Sequence, residues 1–314
     1  MAQALTGIGP ILLALVLVSA VLAVATDTFL TQSNLTNIIV QSSVVGIAAV
    51  GATFVIITAG IDLSVGSVVV LTSIVSAYAM KNVGLAGPVA ILIALGLGAL
   101  LGAFNGFSVT WLRLTPFIAT LAGLAMWRGL ALQISQGKTI FGFPASFNFL
   151  GSGILFGIAA PLIVVVLVFV IGHLVLSRST FGHQVYALGG NREAARLAGI
   201  PIRRVEFTVY VIAGFCAGLA AVVLTGRLNS ALPSAAMGLE LQVIAAIVIG
   251  GTSLFGGRGN LIGTLIGVIL IGVINNGLTL LNVSPFWVQF SQGLVIFLAV
   301  LVDALNQRRL SRSG

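Results

Sequence analysis

The sequence predicts an all-α integral membrane protein that crosses the bilayer about ten times. Three observations predict it. Of 314 residues, 59% are hydrophobic and only 6% are charged. The apolar residues come in continuous runs. When those runs are threaded through a bilayer, the basic residues gather on one side of it.

A soluble domain carries roughly 25% charged residues. With a mean hydropathy of +1.20, this chain cannot clothe its surface in solvated groups. Lipid must cover it. Barrel strands alternate apolar and polar residues, whereas 161–175 (PLIVVVLVFVIGHLV) is apolar almost throughout. A backbone in hydrocarbon must satisfy its own polar groups, so the spans are helices.

Polar and glycine-rich breaks place spans at 8–25, 38–59, 62–80, 88–112, 115–134, 155–177, 206–226, 239–251, 261–281 and 285–304. Together they form one transmembrane domain over 1–314. The first run ends in a cleavage-like Ala23-Val24-Ala25, but nothing before it is basic, so it is read as a span and not a leader. The eighth is too short to cross as a helix at about 1.5 Å per residue and is expected to be broken or re-entrant.

Placing the N-terminus in the cytoplasm puts Arg113, Arg178, Arg192, Arg196, Arg203, Arg204, Arg258, Arg308, Arg309 and Arg312 inside. Lys81, Lys138 and Arg227 fall outside, and Arg128 within a span. That asymmetry puts both termini and the long polar loop 178–204 in the cytoplasm. It also explains the net charge of +8 as topology, with no need for nucleic acid. The single Cys216 forms no internal disulfide.

Gly98/Gly102/Gly106, Gly214/Gly218 and Gly263/Gly267 recur every fourth residue, a spacing that lets helix backbones touch. There is also an internal echo. The segment 60–66 (GIDLSVG) is similar to 251–257 (GTSLFGG), and each precedes an Asn-Gly pair, Asn105-Gly106 and Asn276-Gly277. With the assigned spans the halves run in opposite directions, a common transporter plan.

Enzyme motifs are nearly absent. His173 and His183 have no acid or cysteine at ligand spacing, so no metal is expected. Gly137-Lys138-Thr139 lacks the phosphate-loop glycine five positions earlier, where Leu132 stands, and Gly257-Arg258-Gly259 fails as a dinucleotide motif at Ile262. No catalytic residue is assigned.

Three features remain. Gly60, Asp62, Ser64 and Gly66 suggest a tight turn in which Asp62 caps the following helix, with a solute-path role as the alternative. Asn105, Gln242, Asn275 and Asn276 are neutral amides inside spans, suited either to helix packing or to lining a path for an uncharged polyhydroxylated solute. Within 178–204, Asn191 is a cap, Glu193 sits in a first helical turn and Gly199 is a stop. That short helix is expected to offer Ala194 and Ala195 as a small flat apolar face to a partner, or to rest on lipid headgroups.

These stretches carry a resemblance. The segments 59–67 (AGIDLSVGS), 117–129 (FIATLAGLAMWRG), 181–200 (FGHQVYALGGNREAARLAGI), 245–257 (AAIVIGGTSLFGG) and 299–303 (AVLVD) stand in order along most of the chain. They resemble the permease subunit of carbohydrate-uptake ABC importers, the group that includes ribose, xylose, galactose and autoinducer-2 permeases, with the ribose type closest. The resemblance implies a fold similar to the vitamin B12 importer permease, with ten helices in inverted halves. It implies a homodimer or a pair with a paralogue, cytoplasmic ATPase subunits that hold ATP and Mg, a periplasmic sugar-binding protein, and a place in the bacterial inner membrane. By that resemblance Asn191, Arg192, Glu193, Ala194, Ala195 and Gly199 look like the EAA-type element that couples a permease to its ATPase. The competing class is an ion-coupled secondary transporter. It calls for an acid near midplane, and the assigned spans place none there.

Overall fold

The computed structural model describes residues 8–284 and, beyond them, 286, 287, 289, 290, 293, 294, 297 and 301. The tenth expected span, 285–304, and Arg308, Arg309 and Arg312 lie largely outside the described residues. Among the described residues, six helices are long and apolar enough to cross a bilayer and three shorter apolar helices accompany them.

The first helix, α1, is Ile8–Ala25. α2 (Gln32–Ile57) starts earlier than the apolar run because Thr31 caps it, its hydroxyl accepting from the Asn34 N–H at 3.3 Å. From Ser42 to its end α2 is buried on every side and forms the axis of the bundle. α3 is Val65–Lys81. α4 (Gly87–Thr110) and α5 (Pro116–Ser135) each carry a proline in the first turn, Pro88 and Pro116, where no N–H is needed.

Residues 140–159 hold short pieces that periodicity could not assign: β1 (Ile140–Phe141), α6 (Ala145–Ser152), β2 (Ile154–Leu155) and β3 (Ile158–Ala159). The β2–β3 hairpin delays the sixth span, expected from 155, so that α7 is Ala160–Arg178. α8 (Thr180–Gly190) and α9 (Arg192–Leu197) follow, then α10 (Ile202–Leu228), β4 (Ser230–Ala231), α11 (Leu239–Ile249) and α12 (Leu261–Leu280).

The bundle has two ends. Residues 57–60, 110–116, 188–206 and 257 meet at the arginine-rich end, where the Gly257 N–H reaches the Ile57 carbonyl at 2.8 Å. The opposite end is tied by β1 on β4 and by Asn229, whose side-chain oxygen accepts from the Phe143 N–H and the Asn148 amide.

Two stretches inside the bundle are not helical. The first, 58–64, opens where Ala59 takes φ 60° and ends α2. The second, 229–238, leaves β4 and descends beside α5. There Arg128, about 18 Å along α5 from Pro116, donates to the Ala235 carbonyl at 3.0 Å and the Pro233 carbonyl at 3.4 Å. α11 then begins against the first turn of α3, since a Cβ on Gly66 would meet the Glu240 carboxylate and the Ala236 carbonyl.

From that meeting point α3 runs to the opposite end and α11 to the arginine-rich end. The eighth segment is a short helix, as expected for a broken span: its 11 residues cover about 16 Å and are preceded, beside α5, by a run of turns. Of the two echoing segments, 60–66 spans the end of the first non-helical stretch and the start of α3, and 251–257 is a turn whose Gly257 meets Ile57 at the arginine-rich end.

The glycine spacing has a direct consequence. Gly98 and Gly102 of α4 interleave with Gly214 and Gly218 of α10, and a Cβ on Gly98 would stand 2.8 Å from the Gly218 Cα. Gly263 and Gly267 of α12 press likewise on Gly250 and Ala246. Because the atoms met are backbone, they cannot step aside. Gly102→Ala is expected to cost about 1–3 kcal/mol of stability by overpacking. Gly96→Ala, where nothing lies within 4 Å, is expected to be neutral or slightly stabilising. Melting of the two purified variants checks this; equal melting would remove the α4–α10 seam as a constraint.

Candidate functional site

The meeting point of α3 and α11 is a polar junction inside an apolar bundle. The Asp62 side-chain oxygen accepts from the Ser64 N–H at 2.8 Å and from the Ser64 hydroxyl at 2.6 Å. Asn105 of α4 donates to that hydroxyl at 2.8 Å, and Thr120 of α5 donates to the Ile61 carbonyl at 3.2 Å. Asp62 thus differs from its expected role. It holds the turn that leads into α3 and does not reach the free N–H groups of the first helical turn. Ser64 occupies the cap position with no side-chain cap bond of its own. Gly66 is required for approach to Glu240, and Gly60 leaves room for the buried Tyr210 hydroxyl.

Across the junction Glu240 keeps one buried carboxylate oxygen without a hydrogen-bond partner. It lines a cavity of about 490 Å³ with Arg128, Pro233 and Met237. Sequence reading missed this acid because it stands one residue inside the apolar run that begins at Leu239 and was counted as its edge. An ionisable group flanked by Gly238 and an apolar helix was the available signal.

The four amides separate into two pairs. Asn105 is fully buried, bonded to Ser64, with its own side-chain oxygen unpartnered among protein atoms. Asn276 and Asn34 exchange two bonds, at 2.8 and 3.0 Å, and clamp α12 to the start of α2. Neither lines the cavity found at the other two. Gln242 and Asn275 do share a cavity, of about 250 Å³, with Gln41, Ser42 and Arg227. Those last three were not read from the sequence.

At the arginine-rich end, Ser179 caps α8 and Asn191 caps α9, its oxygen accepting from the Ala194 N–H at 3.0 Å. Gly199, at φ 78°, closes the turn after α9. Arg192 forks onto Glu206 of α10 at 2.6 and 3.0 Å, and that bond raises the guanidinium further above its ordinary range. Glu193 pairs with Arg196 at 2.9 Å, both in the open. Tyr186 anchors α8 by donating to the Gly259 carbonyl at 2.7 Å.

The expected flat alanine face is corrected. Ala195 points inward and is 3% exposed, while Ala194 and Leu197 point outward, Leu197 at 80%. Six residues cannot present both alanines on one side when residue 195 is needed to seat the helix. Arg113, Arg192, Arg196 and Arg204 surround a concavity of about 1070 Å³ floored by Gly60 and Tyr210.

A many-helix membrane bundle with broken helices, small-residue seams and no catalytic constellation among the described residues defines a membrane transport component. The chain belongs to the family described as branched-chain amino acid transport system / permease component, which it matches over residues 34–300. It is 44% identical to the ribose import permease protein RbsC of Bacillus subtilis over 94% of this chain and 92% of that one. It is 43% identical to the D-allose transport system permease protein AlsC of Escherichia coli over 88% and 85%. It is 32% identical to the xylose transport system permease protein XylH of Escherichia coli over 94% and 92%. No solved structure matches the chain.

Asp62→Asn retains the acceptor oxygen for both Ser64 bonds, whereas Asp62→Ala strands the Ser64 N–H and hydroxyl inside the bundle. The alanine variant is expected to lose about 1–3 kcal/mol and melt lower, with transport falling in step. The asparagine variant is expected to keep most of both. Equal loss of transport in the two variants at unchanged melting temperature would assign the charge, and not the turn, as the working part.

Proposed function

We propose that this chain is the membrane-spanning subunit of an ATP-driven importer of a monosaccharide, ribose or a closely related sugar. The observation that carries the reading is its 40–44% identity, over more than nine-tenths of its length, to ribose import permeases from three bacteria. The proposed assembly pairs the chain with a second copy or a paralogue in the bacterial inner membrane. Cytoplasmic ATPase subunits hold ATP and Mg, and a periplasmic sugar-binding protein delivers the solute. The proposed topology has ten helices in two inverted halves, similar to the vitamin B12 importer permease, with both termini cytoplasmic. The opposed directions of α3 and α11 support the inversion, and the positive-inside asymmetry supports the orientation.

Segment 178–204 is proposed as the coupling element, with Asn191, Arg192, Glu193, Ala194, Ala195 and Gly199 forming its core. Exposed Glu193, Arg196 and Leu197 would meet the ATPase. Buried Ala195 and forked Arg192 would transmit its push to α10.

One observation favours a second reading. Glu240 is an acid inside the bundle, such as an ion-coupled transporter uses. The two readings separate in proteoliposomes carrying the cognate subunits. The import reading expects sugar uptake that needs ATP and survives a protonophore. Uptake without ATP that collapses with the proton gradient would favour ion coupling.

Two further outcomes are expected. Glu193→Lys should change stability by under about 0.5 kcal/mol, as exposed pairs do, yet abolish ATP-driven uptake; normal uptake with normal ATPase stimulation would remove the coupling role. A cysteine at Leu197, which is exposed where Ala195 is not, should resist impermeant thiol reagents in intact cells and react in inverted vesicles. Ready labelling of intact cells would reverse the topology.

A further inference from the structure

We propose that the cavity between α2, α10, α11 and α12 is a solute site inside the permease, holding one uncharged monosaccharide-sized polyol in transit, with Arg227 and Gln242 reading its hydroxyls. The proposal rests on the import reading and adds to it a place, a ligand class and two specificity residues.

Size is the first argument. The cavity is about 250 Å³. A water claims about 30 Å³ of liquid, so the space equals roughly eight waters. Clefts for drug-sized ligands start at about 300 Å³. A single sugar ring fits in that space.

Chemistry is the second. Five polar side chains converge there, Gln41, Ser42, Arg227, Gln242 and Asn275, on walls that include Val45 and Val268. Ser42 is 8% exposed, and its hydroxyl, pressed toward Gly272, has no partner. Arg227 is half-buried and has no ion pair among the described residues. Its planar fork of N–H groups can donate to two adjacent oxygens at once, which a vicinal diol offers. Each amide both donates and accepts, as hydroxyls require. No acid lines the cavity, so a cation has no counter-charge. Four of the five polar groups are neutral, which favours an uncharged polyol over an anion.

Position is the third. Arg227 stands at the end of α10 opposite the coupling segment, while Leu239 and Gln242 stand on the first turns of α11, where the two broken helices meet. The cavity thus leads from the far end of the bundle to the polar junction. A solute entering opposite the ATPase would reach it before the junction.

The test uses the full transporter with its ATPase and binding protein. Arg227→Gln and Gln242→Leu are expected to cut ribose uptake at least about tenfold, mainly through turnover, while loaded binding protein still stimulates ATP hydrolysis. In parallel, Gln41→Cys, at an exposed position on the cavity wall, is labelled by an impermeant thiol reagent in nanodiscs, the native Cys216 being buried. D-ribose should slow the labelling severalfold and D-ribonate should not. Protection by ribonate alone would replace the neutral ligand with an anion and overturn the proposal. Unchanged uptake in both variants together with no protection by ribose, in a transporter whose wild type imports ribose, would overturn the site and leave the import reading standing. A wild type that imports no sugar would bring down both.

Discussion

In hydrocarbon an unpartnered backbone group is too costly to leave bare, and two stretches of this chain lie within the bundle without helical bonds. How 58–64 and 229–238 are held determines much of what surrounds them. Asp62 and Ser64 close the first turn on themselves, and Thr120 takes the Ile61 carbonyl from a neighbouring helix. The second stretch relies on Arg128, which takes two of its carbonyls from the side of α5. An arginine inside a span is expensive in lipid. Here its donors satisfy a backbone that has no helix to satisfy it. The polar residues of the interior are therefore first a support for broken helices, and their placement opens the cavities beside them.

That support works only because the helices around it approach closely. The α4–α10 seam brings backbone onto backbone along Gly98, Gly102, Gly214 and Gly218, and the α11–α12 seam does so along Gly250, Gly263 and Gly267. Small residues replace the hydrophobic drive that helices lack in lipid with close van der Waals contact. The two seams bracket the junction. α4 carries Asn105 to Ser64, and α12 carries Asn275 to the cavity that Gln242 also lines. Rigid seams beside interrupted helices put the adaptable backbone next to the polar surfaces, where a passing solute would need it.

Much of this architecture was legible from residue order. Continuous apolar runs gave the helices, and glycine at every fourth position marked both seams. The cap at Asn191 and the stop at Gly199 marked α9 because those signals are local. The rest was not legible, for physical reasons. Asn276 and Asn34 are far apart in sequence, so nothing local distinguishes an amide clamp from an amide that faces a path. Glu240 looked like the edge of an apolar run because a half-helix beginning inside the bundle has no polar flank to announce it. Ala195 was placed on the outer face because six residues are too few for a periodicity to declare itself.

The segment proposed to couple to an ATPase and the junction are joined by contacts that can be followed residue by residue. Glu193 and Leu197 are exposed on α9, and the same short helix is fastened to α10 by the Arg192–Glu206 fork. One turn along α10, Tyr210 places its hydroxyl beside Gly60, two residues before Asp62. From there the Asp62–Ser64–Asn105 chain leads to the start of α3, and Gly66 leads to Glu240 and α11. A second route passes from α8 through Gly189, packed on Ile57 and Gly257, to the turn that feeds α12. Both routes end on helices that begin or bend beside the two inner cavities. A push on α9 would therefore be delivered to backbone that is least held by helical bonds. A straight, fully helical α3 or α11 would carry the same push as a rigid rod. In the proposed coupling, interrupted helices would instead convert it into local movement inside the bundle, beside the polar junction.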